Sequence, residues 1–356
     1  MESMAFYNME FVTETDVGRL ESDVLFVPGG DTFALAKAIG APGLGRLEKW
    51  IADGGTFVGI CAGAYLPLTS SLPPLDSFNL VSSRIRNLSK NLPPAKRMQD
   101  KFSNRYGCYY VFHPVRGPVL LDFGGVALTA PMYGGPSWEG PGEAEVLARY
   151  NGFTDSTLFL TDSEIANDAM IGRPAALRKE HGKGSLYLFG PHFEHPDYPM
   201  SNGVIGSVIL EHASRAGPSE WREASDVIEA PSTGSARGLR SIVSNARIAY
   251  RGLEGATWRI GQKTWDWERI GYFIDAVWRR LPRSGGREID FALSGGISDD
   301  MAECLSAMKI MRSEMSHGEN TTRRAEALIK KLSAVTSDFL VLYFSYLRER
   351  HPSRPT

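Results

Sequence analysis

The run Gly59-Ile60-Cys61-Ala62-Gly63 constrains the fold of this chain more than any other. It follows a β-like apolar stretch that starts at Thr56 and leads into a helix-like one, so the chain passes from strand to helix in a sharp turn. Such a turn strains the backbone of its apex residue and leaves no room for side chains two positions before and after it. Gly59 and Gly63 meet that need. The apex also stands at the first turn of the next helix, where unpaired amides and the helix dipole favour a thiolate. Cys61 is thus expected to be a nucleophile on an elbow, the alternative being a chance glycine pair around a buried cysteine in a chain with 37 glycines.

The 356 residues are enough for two domains, and 42% hydrophobic with 22% charged residues is an ordinary globular composition. A net charge of -2 gives no general attraction to nucleic acid or to anionic membranes, and neither is expected as a partner. Cys61, Cys108 and Cys304 lie far apart without ligand spacing, so neither a disulfide framework nor a metal site is expected, and no cofactor is implied. The N-terminus lacks a basic region followed by an apolar core, and the apolar run near Phe339 to Leu347 is too short and interrupted to span a bilayer. A cytoplasmic location is expected.

The first half alternates β-branched or aromatic runs with helical patterns, as in a parallel sheet covered on both faces. Asp23 to Val27 reads as a strand ending in the turn cluster Pro28-Gly29-Gly30-Asp31, after which Thr32 caps a helix to Ala38. A second helix is expected from Gly43 to Ala52, and Thr56 to Ile60 is the strand that delivers Cys61. Ser82 to Arg105 is polar and basic, a solvated insertion or a site for anionic groups. Tyr109 to Val115, Val126 to Pro131, Glu145 to Tyr150, Ala175 to Leu177 and Leu186 to Phe189 read as strands, and Asn202 to Ser214 as a closing helix. A Ser-, Pro- and Gly-bearing linker follows. Helical patterns then fill Leu239 to Tyr250, Trp265 to Leu281 (ended by Pro282), Asp299 to Met315 and Thr321 to Arg350, with Asp299-Asp300 and Asn320-Thr321 as caps.

A cysteine nucleophile needs a base and a third group that orients the base. His192-Phe193-Glu194 follows the strand Leu186 to Phe189 through Gly190-Pro191, and in an extended segment His192 and Glu194 face the same side. His195-Pro196-Asp197 repeats the spacing and stays open as an alternative. The backbone N–H of Ala62, after the elbow cysteine, and one from the Gly29-Gly30 loop would hold a developing oxyanion.

Val24-Leu25-Phe26-Val27-Pro28-Gly29-Gly30, Phe57 to Tyr65 around Cys61, and Gly182-Lys183-Gly184 leading to Gly190-Pro191-His192-Phe193-Glu194 resemble the class I glutamine amidotransferase-like superfamily. Within it they are most similar to the domain at the N-terminus of biotin-protein ligases, with Met132-Tyr133-Gly134-Gly135 and Glu145 to Tyr150 as further similarities. The resemblance covers residues 1–216 and implies a flavodoxin-like three-layer α/β sandwich with a mainly parallel sheet there; the pattern of the residues beyond it gives a linker over 217–236 and a smaller all-α domain over 237–356. It implies a triad of Cys61, His192 and Glu194, oxyanion donors at Gly30 and Ala62, and a substrate pocket including Gly29, Asp31, Tyr65, Tyr133, Gly134 and Gly135.

The departures bear on function. Tyr65 stands four residues after the cysteine, where glutamine amidotransferases usually carry Gln, and neither a synthetase domain nor a biotin-ligase catalytic domain is recognised. Relatives usually begin with one more strand and helix before Asp23, whereas here one β-like piece, Met4 to Phe11, precedes it, so the sheet is expected one strand short. The expected activity is a cysteine-dependent, amidotransferase-like hydrolysis of a carboxamide or ester in a small-molecule or peptide-like substrate. The alternative is a ligand-binding or regulatory module without turnover. The helical tail, with Trp258, Trp265, Trp267 and Trp278, offers either a core or a surface for a protein partner or a second copy. A redox or glyoxal-handling protein of the same broad fold is a third alternative; such proteins carry Glu near the cysteine where this chain has Asp31.

Overall fold

The computed structural model describes residues 20, 22–98, 110–195, 197–216, 236–260, 263–281 and 296–350. The piece Met4 to Phe11, Lys101, Arg105, Cys108, Tyr109, Pro282 and the linker except Ala236 lie outside them. Backbone contacts divide the chain into two compact units, whose described residues are those up to 216 and those from 236.

The first unit is built on an eight-stranded sheet: β1 (Val24–Val27), β2 (Thr56–Ile60), β3 (Val115–Phe123), β4 (Val126–Met132), β5 (Glu145–Phe153), β6 (Leu158–Phe159), β7 (Pro174–His181) and β8 (Gly184–Phe189). Its order is β1-β2-β8-β7-β5-β3-β4, with β6 beside β3. β1, β2 and β8 run parallel, but every other pairing is antiparallel. The sheet is therefore mixed, not mainly parallel. Two short connections impose this: Phe123 pairs with Val126 across Gly124-Gly125, both at positive φ, and His181 pairs with Gly184 across Gly182-Lys183. A two-residue loop can only reverse the chain.

Helix α1 (Thr32–Asp53) joins β1 to β2 as two helical pieces that meet at Gly40, whose φ of 69° and ψ of 163° are not helical. Asp31 rather than Thr32 is its N-cap, accepting from the N–H groups of Phe33 and Ala34 at 3.0 and 3.1 Å. Leu44, Leu47 and Ile51 bury their side chains with Leu25, Phe57, Leu186 and Leu188, alternate residues of β1, β2 and β8. After α2 (Ala62–Tyr65), α3 (Pro94–Arg97) and α4 (Ser163–Met170), the chain reaches α5 (Pro199–Ala216), which meets the opposite face of those strands: His212 bonds Thr56 Oγ1 at 2.6 Å, and Tyr187 donates to Glu211 at 3.2 Å. Helices thus cover both faces of the parallel part.

No regular strand forms from residue 110 to 114, where Tyr109 to Val115 reads as one; Val111 makes a single bridge to Leu88, and the strand proper is β3, with Gly117-Pro118 inside it. Those two residues fall where β3 changes neighbour from β6 to β5, a place that asks no ladder bond of the proline on that side. In the basic stretch, Arg86 is ion-paired with Asp168, and Lys96 with Asp162 at 3.1 Å.

The second unit comprises α6 (Ala236–Arg251), β9 (Thr257–Ile260), β10 (Lys263–Asp266), α7 (Trp267–Trp278), α8 (Ile297–Ser316) and α9 (Thr322–Arg350). It is helical but not all-α: β9 and β10 pair antiparallel, Trp258 opposite Trp265, so Trp265 lies on a strand and not in the following helix. β-branched and aromatic residues at Thr257, Trp258, Thr264 and Trp265 suit a strand pair, and Asp266 caps α7 by accepting from Arg269 N–H at 3.1 Å. Gly296 precedes α8, and Asp299 and Asp300 sit in its first turn rather than capping it. The core joins Leu239, Val243, Ile270, Ile274, Met308 and Leu332. Trp258 is buried in it and donates Nε1–H to Thr321 Oγ1 at 2.8 Å. Trp278 is half-buried with the Arg240 and Arg247 guanidiniums 4.2 and 4.8 Å from its ring centre.

Candidate functional site

β1, β2 and β8 are adjacent and parallel, with Val27 opposite Gly59 and Ile60 opposite Phe189. The segments that leave their carboxyl ends therefore emerge together: the Gly29-Gly30 loop, the Cys61 turn and the Gly190-to-Glu194 turn. That edge is where open α/β sheets gather their chemistry.

Cys61 has φ 54° and ψ -106°, the one non-glycine residue at positive φ among the described residues. A cysteine held there is strained, and the strain is imposed by its neighbours. Its N–H donates to Phe189 O at 2.9 Å, fixing the end of β2 to the end of β8, and its carbonyl accepts from Ala64 N–H at 3.1 Å. A Cβ on Gly59 would stand 2.5 Å from Gly63 O, and one on Gly63 would overlap the Val27 carbonyl. Thr32 Oγ1 donates to Ala62 O at 2.8 Å, locking the start of α1 to the elbow helix α2. The Ala62 amide begins α2, where the helix ladder leaves N–H groups without intrahelical acceptors.

His192 lies across the Gly29 Cα from this turn: a Cβ on Gly29 would meet His192 Cε1 at 3.0 Å and Cys61 Cβ at 3.6 Å. Its Nδ1–H donates to Glu194 Oε1 at 2.6 Å. The two residues meet across a turn and not along an extended segment, with His195 N–H returning to His192 O at 3.2 Å. Burial opposes charge on the imidazole, yet the Cys61 sulfur beside it and then the Glu194 carboxylate raise its pKa to about 10. Nε2 is buried and makes no hydrogen bond among the described residues. Beneath the site, burial and then the charge of Cys61 raise the phenol of Tyr150, which donates to Pro136 O at 2.8 Å.

The other residues singled out by sequence take definite places. Tyr133 sets its ring edge-on to His192, with centroids 5.1 Å apart. Tyr65 donates its hydroxyl to Gly134 O at 3.0 Å and accepts from Asn87 Nδ2 at 3.0 Å, while Asn87 also donates to Gly135 O at 3.2 Å. The Asp31 carboxylate is on the α1 amides. Around Gly30 a Cβ would meet nothing within 4 Å, so that side of the loop is open. His195 stands 4.0 Å from Asp197 and against Tyr198, and the contacts that link an imidazole to Cys61 belong to His192.

Two site-building residues escape a sequence reading. Asn87 is fully buried, and besides Tyr65 and Gly135 it bonds Phe112 O and accepts from Ser137 N–H. Asn202 donates to the carbonyls of Phe193 and His195, both at 2.8 Å, and so fastens the turn that carries His192 and Glu194. Neither has a periodic signature, and Asn87 sits within a stretch whose charge suggests surface. Among the described residues no group of three or more His, Cys, Asp or Glu could hold a metal ion, and no helix is long and apolar enough to cross a membrane.

The family model described as biotin-protein ligase, N terminal, matches residues 10–70. That span holds β1, the Gly29-Gly30 loop, α1, β2 and the Cys61 elbow; His192 and Glu194 lie beyond it. An uncharacterized protein of Chlamydia muridarum is 26% identical over 194 residues, 53% of this chain and 66% of its own length, so the match spans just under two thirds of that relative. Among solved structures, a glutamine amidotransferase is similar over 54% of this chain and 79% of its own, with 16% identity and a TM-score of 0.33. A β-galactosidase from Bacillus circulans sp. alkalophilus is similar over 54% of this chain and 23% of its own, with 18% identity and a TM-score of 0.29. At such scores neither likeness decides a fold or an activity.

Proposed function

We propose that the first unit is a class I glutamine amidotransferase-like domain of the biotin-protein ligase N-terminal type, with β1, β2, β8 and the helices on either face as its flavodoxin-like core. In this reading it hydrolyses a carboxamide or ester through Cys61, His192 and Glu194. The observation that carries it is the placement of one imidazole between a strained elbow cysteine and a carboxylate 2.6 Å away. The match of residues 10–70 to the ligase N-terminal model supports the elbow half.

The chemistry follows from the positions. The Cys61 sulfur attacks the carbonyl carbon, forming a C–S bond, and the charge gathering on the carbonyl oxygen is met by the N–H groups of Gly30 and Ala62. The protonated His192 gives its Nε2 proton to the leaving nitrogen or oxygen as the C–N or C–O bond breaks, leaving a thioester. Water then attacks the thioester with His192 taking its proton, and the acid and the thiolate are released. Glu194 holds the ring in the tautomer and orientation both steps need. Gly29 is the residue whose lack of a side chain lets the ring approach the sulfur.

A second reading has one observation in its favour, the name of the matched family, which describes a non-catalytic portion of a ligase as readily as an enzyme. In it the same pocket binds a ligand without turnover, and the helical unit recruits a protein partner or a second copy. Incubation of the full chain with panels of carboxamides and esters separates the two. Acid release above that of Cys61→Ala supports the hydrolase; none in either panel refutes it.

A further inference from the structure

Only one oxygen of the Glu194 carboxylate is held. Oε1 takes the His192 Nδ1–H, while Oε2 is buried and has no hydrogen-bond partner among the described residues. The direction of this side chain is therefore set by its backbone, and the backbone is gripped from α5. The Asn202 amide faces three carbonyls, which puts its nitrogen on that side: Nδ2 lies 2.8 Å from Phe193 O, 2.8 Å from His195 O and 3.4 Å from Tyr198 O. Phe193 and His195 flank Glu194, so one amide group holds the chain on both sides of the residue that orients the imidazole. The brace is anchored at its far end. Ser201, fully buried beside Asn202, donates to Thr129 O at 2.7 Å, and His192 N–H donates to Pro131 O at 2.8 Å. Both carbonyls are on β4, so α5 and the turn that carries His192 rest on the same strand. Asparagine is a poor helix former, and at the fourth position of α5 the helix itself does not call for it.

From this we infer that Asn202 is a positioning residue of the site: by holding the carbonyls on either side of Glu194 it keeps the carboxylate on His192 Nδ1 and the ring directed at Cys61. Its effect on rate rests on the hydrolase reading, whereas its effect on the ring rests on the geometry alone. The Glu194 side chain is 31% exposed, so once the turn loosens its carboxylate can swing to water. The charged groups that act on the ring are Cys61 and Glu194, with Tyr133 packed edge-on to it. Losing the carboxylate weakens the ring's hold on its proton.

The test compares the full chain with Asn202→Ala, Asn202→Asp and Ser207→Ala. Asn202→Asp keeps the shape but replaces the donors with acceptors that face carbonyls. Ser207, which donates to Gly203 O on an exposed part of the same helix, is the control. Thermal melting shows which variants fold, imidazole NMR gives the His192 titration midpoint, and peptide mass spectrometry follows acetylation of Cys61 by p-nitrophenyl acetate. Both Asn202 variants are expected to lower the midpoint and to slow acetylation by about tenfold or more. Ser207→Ala is expected to change neither. An unchanged midpoint in a folded Asn202 variant overturns the inference, as does acetylation at the unmodified rate beside a lowered midpoint. Loss of the fold in both variants overturns it too, because Asn202 would then be a structural residue only. No acetylation of Cys61 in the unmodified chain refutes the hydrolase reading by itself, and the midpoints alone then decide whether Asn202 holds the pair.

Discussion

His192 Nδ1 stands 2.6 Å from Glu194 Oε1, a charge-assisted hydrogen bond closed across a turn that Asn202 fastens from α5. The pair is held by the fold itself, and the ring's other nitrogen is left for the sulfur side.

With its pKa raised to about 10, against the pull of burial, His192 keeps its proton through neutral pH. The stability that the charged ring contributes is complete below about 6.5, the unfolded value, and is lost as pH rises through about 10. Imidazole NMR is expected to show no His192 titration between about pH 5.5 and 8.5, and Glu194→Gln to lower the midpoint. A midpoint near the unperturbed value in the unmodified chain would contradict the coupling to Cys61 and Glu194.

Gly63→Ala places a methyl group on the Val27 carbonyl, and Gly59→Ala one at 2.5 Å from Gly63 O. Both obstacles are backbone and cannot swing aside. Each substitution is expected to cost about 3 kcal/mol or more, or to prevent folding. Thermal melting measures it; an unchanged melting temperature in Gly63→Ala would mean the elbow is not packed as described.

These two glycines show what the sequence makes legible. An elbow is a steric requirement on consecutive residues, so Gly59, Cys61 and Gly63 announce it locally; His192 and Glu194 stand out by their place after an apolar strand, but they meet across a turn and not along the extended segment expected of them. The direction of the strands is less open to reading. Gly124-Gly125 between Phe123 and Val126 is a hairpin signal, but Gly117-Pro118 hides β3 because it looks like a breaker. It is tolerated only because β3 changes partners there. The hairpin of β9 and β10 is masked in the same way by Trp265 and Trp267, which fit a helical pattern as well as a strand. Asn87 lies deepest of all: its bonds reach Tyr65, Phe112, Gly135 and Ser137, a set that only the folded chain defines.

Asn87→Ala leaves the half-buried Tyr65 hydroxyl, two carbonyls and an N–H short of a partner, which is expected to cost about 2–4 kcal/mol. Tyr65→Phe removes one hydroxyl and is expected to cost about 1 kcal/mol. Urea unfolding of the two variants gives the order; a larger loss for Tyr65→Phe would contradict Asn87 as the hub.

The central claim is that the Cys61 sulfur is an acyl acceptor served by His192. Mixing the full chain with p-nitrophenyl acetate and following p-nitrophenolate in the first turnover, with peptide mass spectrometry of the quenched protein, tests it directly. The account predicts a burst matched by acetylated Cys61, absent in Cys61→Ala and slowed by about a hundredfold in His192→Gln. A burst that persists in Cys61→Ala, or acetylation of Cys61 at the same rate without His192, would contradict it.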